Sequence, residues 1–335
     1  MSRHEMPAEE QMRLGQRHPG TSARELFGRW FSVSVAAIIL LANCSIGWAA
    51  APSAKQKHFE TPEAAVQTLV DALRKGDTRA MAEILGPSSG PLVSSGDKVA
   101  DQRARDAFVR EYDATHRLEA GGGKIVLYVG ADNFPFPIPV VPDGPSWRFD
   151  TPAGREEILS RRIGRHELNA IQVCLAYVDA QRDYYAQERK GGGVLEYAQR
   201  LASTPGKRDG LYWEAKAGEK PSPLGALVAR ARSEGYSKQS QQGPRPYHGY
   251  YYRILPAQGP EAPGGATEYI AGGHMIGGFG LVAFPAQYGA SGVMTFIVNH
   301  DGVVYQKDLG PKTSTLARQM KTFDPDKSWQ KVAPN

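Results

Sequence analysis

The chain has 335 residues, of which 41% are apolar and 22% charged, with 40 Lys and Arg against 35 Asp and Glu for a formal charge of +5. That balance excludes a disordered chain, a collagen-like repeat and a multi-span membrane protein, and it leaves enough chain for a sizeable core in two domains. The basic residues are dispersed rather than gathered into an arginine-rich arm, so no nucleic-acid partner is expected.

Residues 1–50 read as an export signal. Arg24 and Arg29 precede the uncharged run Phe31 to Ala42, and the small-residue stretch Gly47-Trp48-Ala49-Ala50-Ala51 follows it. The apolar run is short for a bilayer core, so a periplasmic or secreted chain beginning near Ala50 or Ala51 is expected, with membrane contact only if the segment stays uncleaved. Leu41-Ala42-Asn43-Cys44 has the outline of a lipoprotein box, with Asn43 a poor fit before the Cys. Removal of the signal leaves Cys174 as the one thiol. It falls among Ile171, Leu175 and Val178 on one helical face, and a buried, inert thiol is expected there.

After a linker over 51–58, an N-terminal unit over 59–153 opens with a helix at Thr61-Pro62-Glu63, where Thr61 caps, Pro62 suits the first helical position and Glu63 meets the positive helix end. Gly76-Asp77 breaks it before a second helix carrying Met81, Ile84 and Leu85. A third helical pattern spans Asp101 to His116. Strand patterns then run from Lys124 to Val129, around Ile138 to Val141 and at Trp147 to Asp150, with Pro142-Asp143-Gly144 as a hairpin turn. The helix-Gly-Asp-helix opening resembles that of cone-shaped domains related to nuclear transport factor 2.

The second unit, 154–335, begins with a bridge and then a long helix from Arg165 to Tyr185 whose apolar residues recur at three and four. A turn-rich loop, Thr204 to Gly210, leads to Leu211-Tyr212-Trp213, and a short helix is expected over Leu224 to Ala231. Strand patterns follow at Tyr247 to Leu255, Tyr269 to Ala271, Phe279 to Phe284, Val293 to Val298 and Val303 to Lys307. The fold class expected is α+β: a small helix-plus-antiparallel-sheet unit, then a long helix packed on an antiparallel meander, an outline that resembles pilin-like domains.

The segments Trp147 to Thr151, Gly164 to Leu168, Ala170 to Cys174, Ser203 to Trp213, Tyr247 to Tyr251 and Gly302 to Gly310 together resemble the DUF2950 family of bacterial exported proteins. The resemblance spans about Phe59 to Trp329 and implies an export signal with no established catalytic residue. It also implies an Asp-x-Asp-Gly type loop where this chain has Glu188-Arg189-Lys190-Gly191-Gly192-Gly193, so the carboxylates of a Ca²⁺ loop are missing.

Among the eight histidines no His-x-x-x-His or His-Glu-x-x-His pair occurs, no Gly-x-Ser-x-Gly is present, and no phosphate-binding glycine pattern precedes a Lys. No metal, no cofactor and no catalytic residue is therefore assigned. The candidate binding surface is Tyr247, His248, Tyr250 and Tyr251, read as one strand starting at Tyr247, together with Arg208, Asp209, Trp213 and Asp308 converging on an aromatic wall. An envelope-located binding or assembly module with a protein or glycan partner is expected. The alternative is an envelope hydrolase of glycan or peptide using Asp209, Asp308, Glu196 or His248.

Overall fold

Thr61 accepts a hydrogen bond from the amide of Ala64 at 3.1 Å, Pro62 opens α1 (Pro62–Lys75), and Gly76 closes it with φ of 63°, so the capping residues set both ends of the first helix. The computed structural model describes residues 55–191, 194–236 and 244–333. The expected export segment 1–50 with Cys44, the Gly192-Gly193 pair and residues 237–243 lie outside the described residues. Residues 51–335 belong to one compact unit. No helix among the described residues is long and apolar enough to cross a membrane.

Helices α2 (Thr78–Leu85), α3 (Gly90–Val93) and α4 (Lys98–Ala114) follow α1. The third expected helix thus starts three residues earlier than its apolar pattern, because Asp97 caps it by accepting from Val99 and Ala100 at 3.1 Å. The chain continues through β1 (His116–Gly121), β2 (Lys124–Val129), β3 (Phe134–Pro135), β4 (Val140–Asp143) and β5 (Ser146–Phe149). These make a sheet in which β1, β2, β4 and β5 are neighbours in turn, with β3 also on β2. Strand β1 was not expected, since its burial pattern is almost wholly exposed and it carries no apolar alternation. Leu69, Ile84, Leu127, Ile138 and Phe149 fill the core between this sheet and the helices, each buried large side chain contributing about 1.5–3 kcal/mol.

Helix α5 runs Thr151–Gly191, 41 residues and roughly 60 Å. The expected helix began fourteen residues later, at Arg165, after a segment read as a bridge. Pro152 sits in the first turn, where no amide is needed. Gly154 lies within the helix, and only glycine fits there because a Cβ would lie 2.3 Å from the carbonyl oxygen of Pro137. The first part of α5 places Leu159 in the N-terminal core, and the later part places Ala170, Cys174, Tyr177, Val178 and Tyr184 in a second core.

After irregular chain, α6 (Gly225–Ser233) leads to β6 (Tyr250–Leu255), β7 (Ala257–Gln258), β8 (Thr267–Glu268), β9 (Ile270–Ala271), β10 (His274–Met275), β11 (Gly280–Pro285), β12 (Met294–Asn299) and β13 (Tyr305–Asp308). A 3-10 turn at Gly310–Lys312, α7 (Thr313–Gln319), β14 (Thr322–Phe323) and β15 (Gln330–Lys331) complete the described chain. The main antiparallel sheet is ordered β15, β13, β12, β11, β6. One face, with Leu281, Ala283, Phe296 and Val298, packs in the core shared with α5; the other, with Val282, Phe284 and Ile297, packs in the core shared with Ala317 of α7. Coverage of both faces explains why all of β11 is buried and reads as an unbroken apolar run. The fold is α+β, a long helix with an antiparallel meander.

Candidate functional site

The tyrosine-rich segment does not form one strand. Tyr247 and Tyr250 exchange backbone hydrogen bonds at 2.9 and 3.2 Å, and between them His248 and Gly249 have φ of 50° and 78°. Two consecutive positive φ values make a two-residue hairpin turn, so the strand begins at Tyr250 rather than Tyr247. Tyr250 is fully buried, its hydroxyl donating to the carbonyl of Met294 at 2.9 Å. Tyr251 is half-buried, with the Phe284 ring 5.6 Å away and the Arg318 guanidinium 5.3 Å above it. Tyr252 is half-buried, and burial pushes its phenol well above the usual range. Tyr250 therefore has no accessible surface to offer a partner.

His248 belongs to a buried polar network drawn from four parts of the chain. Its Nε2 lies 3.0 Å from Glu234 Oε2, and Glu234 is also met by Arg230 at 3.1 Å and Arg103 at 3.3 Å. Beside it, Asp97 accepts from the Tyr236 hydroxyl at 2.9 Å and the Gly249 amide at 2.8 Å, and Tyr236 in turn receives the His248 amide at 3.1 Å. Burial lowers the His248 imidazole below its usual range, opposed by the Glu234 carboxylate; burial raises the Tyr247 phenol to about 12. Gly249 is required, because a Cβ there would lie 2.3 Å from His166 Nδ1 on α5. The network clasps the start of α4, the end of α6 and the hairpin onto the middle of the long helix.

The remaining residues singled out by sequence have local partners of their own. Asp209 accepts from the amide and hydroxyl of Thr204 at 2.7 and 2.8 Å, and the hydroxyl bond first of all holds its carboxyl below the usual range. Arg208 pairs with Glu219 at 3.0 Å and covers the Trp213 ring at 5.5 Å. Asp308 accepts from the Tyr288 hydroxyl at 3.1 Å and the Gly310 amide at 2.7 Å. Glu196 lies 3.1 Å from His274. Among the described residues, no hydrogen bond or ion pair joins Asp209 to Asp308, and no group of three or more His, Cys, Asp or Glu is placed to hold a metal ion. Cys174 is fully buried, and burial pushes its thiol up to about 12, as its helical neighbours led one to expect.

A concavity lies elsewhere. An open cleft of about 440 Å³ is lined by Glu156, Leu159, Ser160, Ile163, Gly164 and Glu167 of α5, facing Gly289 and Val293, a volume within the usual range for ligand sites. The wall opposite the helix is fixed by short bonds. Glu167 accepts from the amides of Val293 and Met294 at 3.0 Å, and His166 donates from Nδ1 to the carbonyl of Ser291 at 2.9 Å. The Ser291 hydroxyl closes the loop onto Gln287 at 3.0 and 3.1 Å. Behind the wall, the Tyr250 hydroxyl packs where a Cβ on Gly292 would be 2.1 Å away, so only glycine fits. Tyr250 shapes this wall from inside. Sequence reading missed Glu156, Ser160 and Glu167; their spacing of four and seven marks one helical face once α5 is allowed to begin at Thr151.

Fold and site together define an α+β protein with a central long helix that forms one side of a ligand-sized cleft. A family model described as "Protein of unknown function (DUF2950)" matches residues 56–332, and the chain belongs to that family. No curated protein and no solved structure matches the chain.

Proposed function

We propose that the protein is an exported module of the cell envelope that binds an extended ligand in the α5 cleft without transforming it. The observation that carries this reading is the disposition of the cleft carboxylates. Glu156 and Glu167 are eleven residues apart on one helix, about 16 Å along its axis. Glycoside hydrolysis needs two carboxyl groups within roughly 5–10 Å, whereas a groove of this length suits a ligand held at several points. Asp209, Asp308 and Glu196, the carboxylates on which a hydrolase reading would rest, are each engaged by separate local partners.

Export is supported by the positive flank, apolar run and small residues of the first fifty positions. The protein recovered from the envelope fraction of an expressing bacterium is expected to begin near Ala50 or Ala51, and an intact N-terminus in the membrane fraction would contradict this. The binding role is tested by capture from envelope extract with the wild-type chain beside a Ser160→Trp variant, whose indole fills the cleft. A stoichiometric ligand held by the first and lost by the second supports the reading; equal capture by both sinks it.

A further inference from the structure

Eight residues line the cleft, and none of them is aromatic. Glycan sites use flat aromatic faces beneath sugar rings; here the floor is aliphatic, made by Leu159, Ile163 and Val293, with Gly164 and Gly289 leaving room for a close backbone approach. The polar groups are Glu156 and Glu167 toward the two ends and the Ser160 hydroxyl between them.

The two charged residues that line the cleft are both acidic. At 100° per residue, Arg155, Arg161, Arg162 and Arg165 fall at least about 100° round the helix from Glu156. Two of them are engaged there: Arg162 donates to the carbonyls of Pro91 and Leu92 at 2.6 Å, and Arg161 pairs with Glu157 and covers the Phe134 ring. Among the described residues, the one cation paired with a cleft carboxylate is Arg155, at 3.4 Å from Glu156, whose side chain is 82% exposed; such a single-point exposed pair is weak and exchangeable.

Resting on the binding reading above, we infer that the ligand is a polypeptide segment in extended conformation carrying basic side chains four residues apart, on one face, with aliphatic residues between them. At about 3.3 Å per residue, positions i and i+4 of an extended segment share one face about 13 Å apart, and the length of the Lys or Arg side chains covers the rest of the roughly 16 Å between the carboxylates. The aliphatic residues meet Leu159, Ile163 and Val293, and an ammonium or guanidinium group reaches a carboxylate at each end.

Calorimetric titration of the protein recovered from the envelope fraction tests this with three probes: the peptide Lys-Ala-Val-Leu-Lys, its counterpart with Glu at both ends, and an N-acetylglucosamine tetramer. The basic peptide is expected to bind at least tenfold tighter than the acidic one and to weaken as salt rises from 0.05 to 0.5 M. Glu167→Gln, which keeps an oxygen for the Val293 and Met294 amides, is expected to weaken it at least tenfold, and Glu156→Gln, on an exposed side chain, by about two- to fivefold.

Equal affinity for both peptides, or basic-peptide binding that survives Ser160→Trp, overturns the inference. Binding of the tetramer alone, lost in Ser160→Trp, overturns it while leaving the binding module standing. Cleavage of the bound basic peptide supports the ligand class and contradicts the non-enzymatic reading, so the two claims fail separately.

Discussion

Asp97 caps α4 with one carboxylate oxygen and with the other receives Tyr236 and Gly249, 139 and 152 residues away. Asp97→Ala loses the cap, about 1 kcal/mol, and orphans a buried amide and phenol, about 1–3 kcal/mol more; a drop of roughly 2–4 kcal/mol is expected in urea unfolding. His166 and His248 make a separate prediction. Burial lowers both imidazoles in the folded state, so as pH falls through about 6.5 the unfolded chain takes up protons first and stability falls. Above that pH their contribution is fully present. Unfolding midpoints between pH 8 and 5.5 should show this slope, and His166→Gln, which still donates to Ser291, should flatten it; an unchanged slope would contradict the assignment to His166.

At the scale of elements, the loop from Gln287 to Val293 is held from both sides, by His166 and Glu167 of α5 and by Tyr250 of β6. Gly292→Ala is expected to cost about 1–3 kcal/mol by overpacking. In a Tyr250→Phe background the nearest atom to the new methyl becomes a ring carbon at 2.6 Å instead of the hydroxyl at 2.1 Å, so the cost should shrink without vanishing. A double-mutant cycle reads that coupling; strict additivity would place the loop elsewhere than against Tyr250.

These elements also mark what the sequence discloses. Thr61, Pro62 and Gly76 announced α1 because capping is local chemistry. The start of α5 was hidden because Gly154 answers a contact with Pro137, seventeen residues upstream, and not its own helix. The tyrosines of β6 were visible as residues, but their burial depends on Phe284, Met294 and Gly292, which no local pattern reveals. Glu167 looked like an ordinary helical glutamate because its partners are backbone amides more than 120 residues away.

Over the whole molecule, α5 is the common member. Its first part packs in the N-terminal core, its later part in the core of the main sheet, and the cleft opens along its face between Glu156 and Glu167. Anchoring at both ends makes the cleft a fixed feature of the fold, and a ligand seated there stabilises the folded chain by mass action. A binding module with such a site should hold its ligand unchanged. The direct measurement is incubation of the protein recovered from the envelope fraction with envelope-derived peptide, peptidoglycan and polysaccharide fragments, with mass spectrometry of both the retained and the free material. Retention of an intact fragment, lost in Ser160→Trp, with no new masses is the result expected; new product masses that depend on the protein would contradict the account.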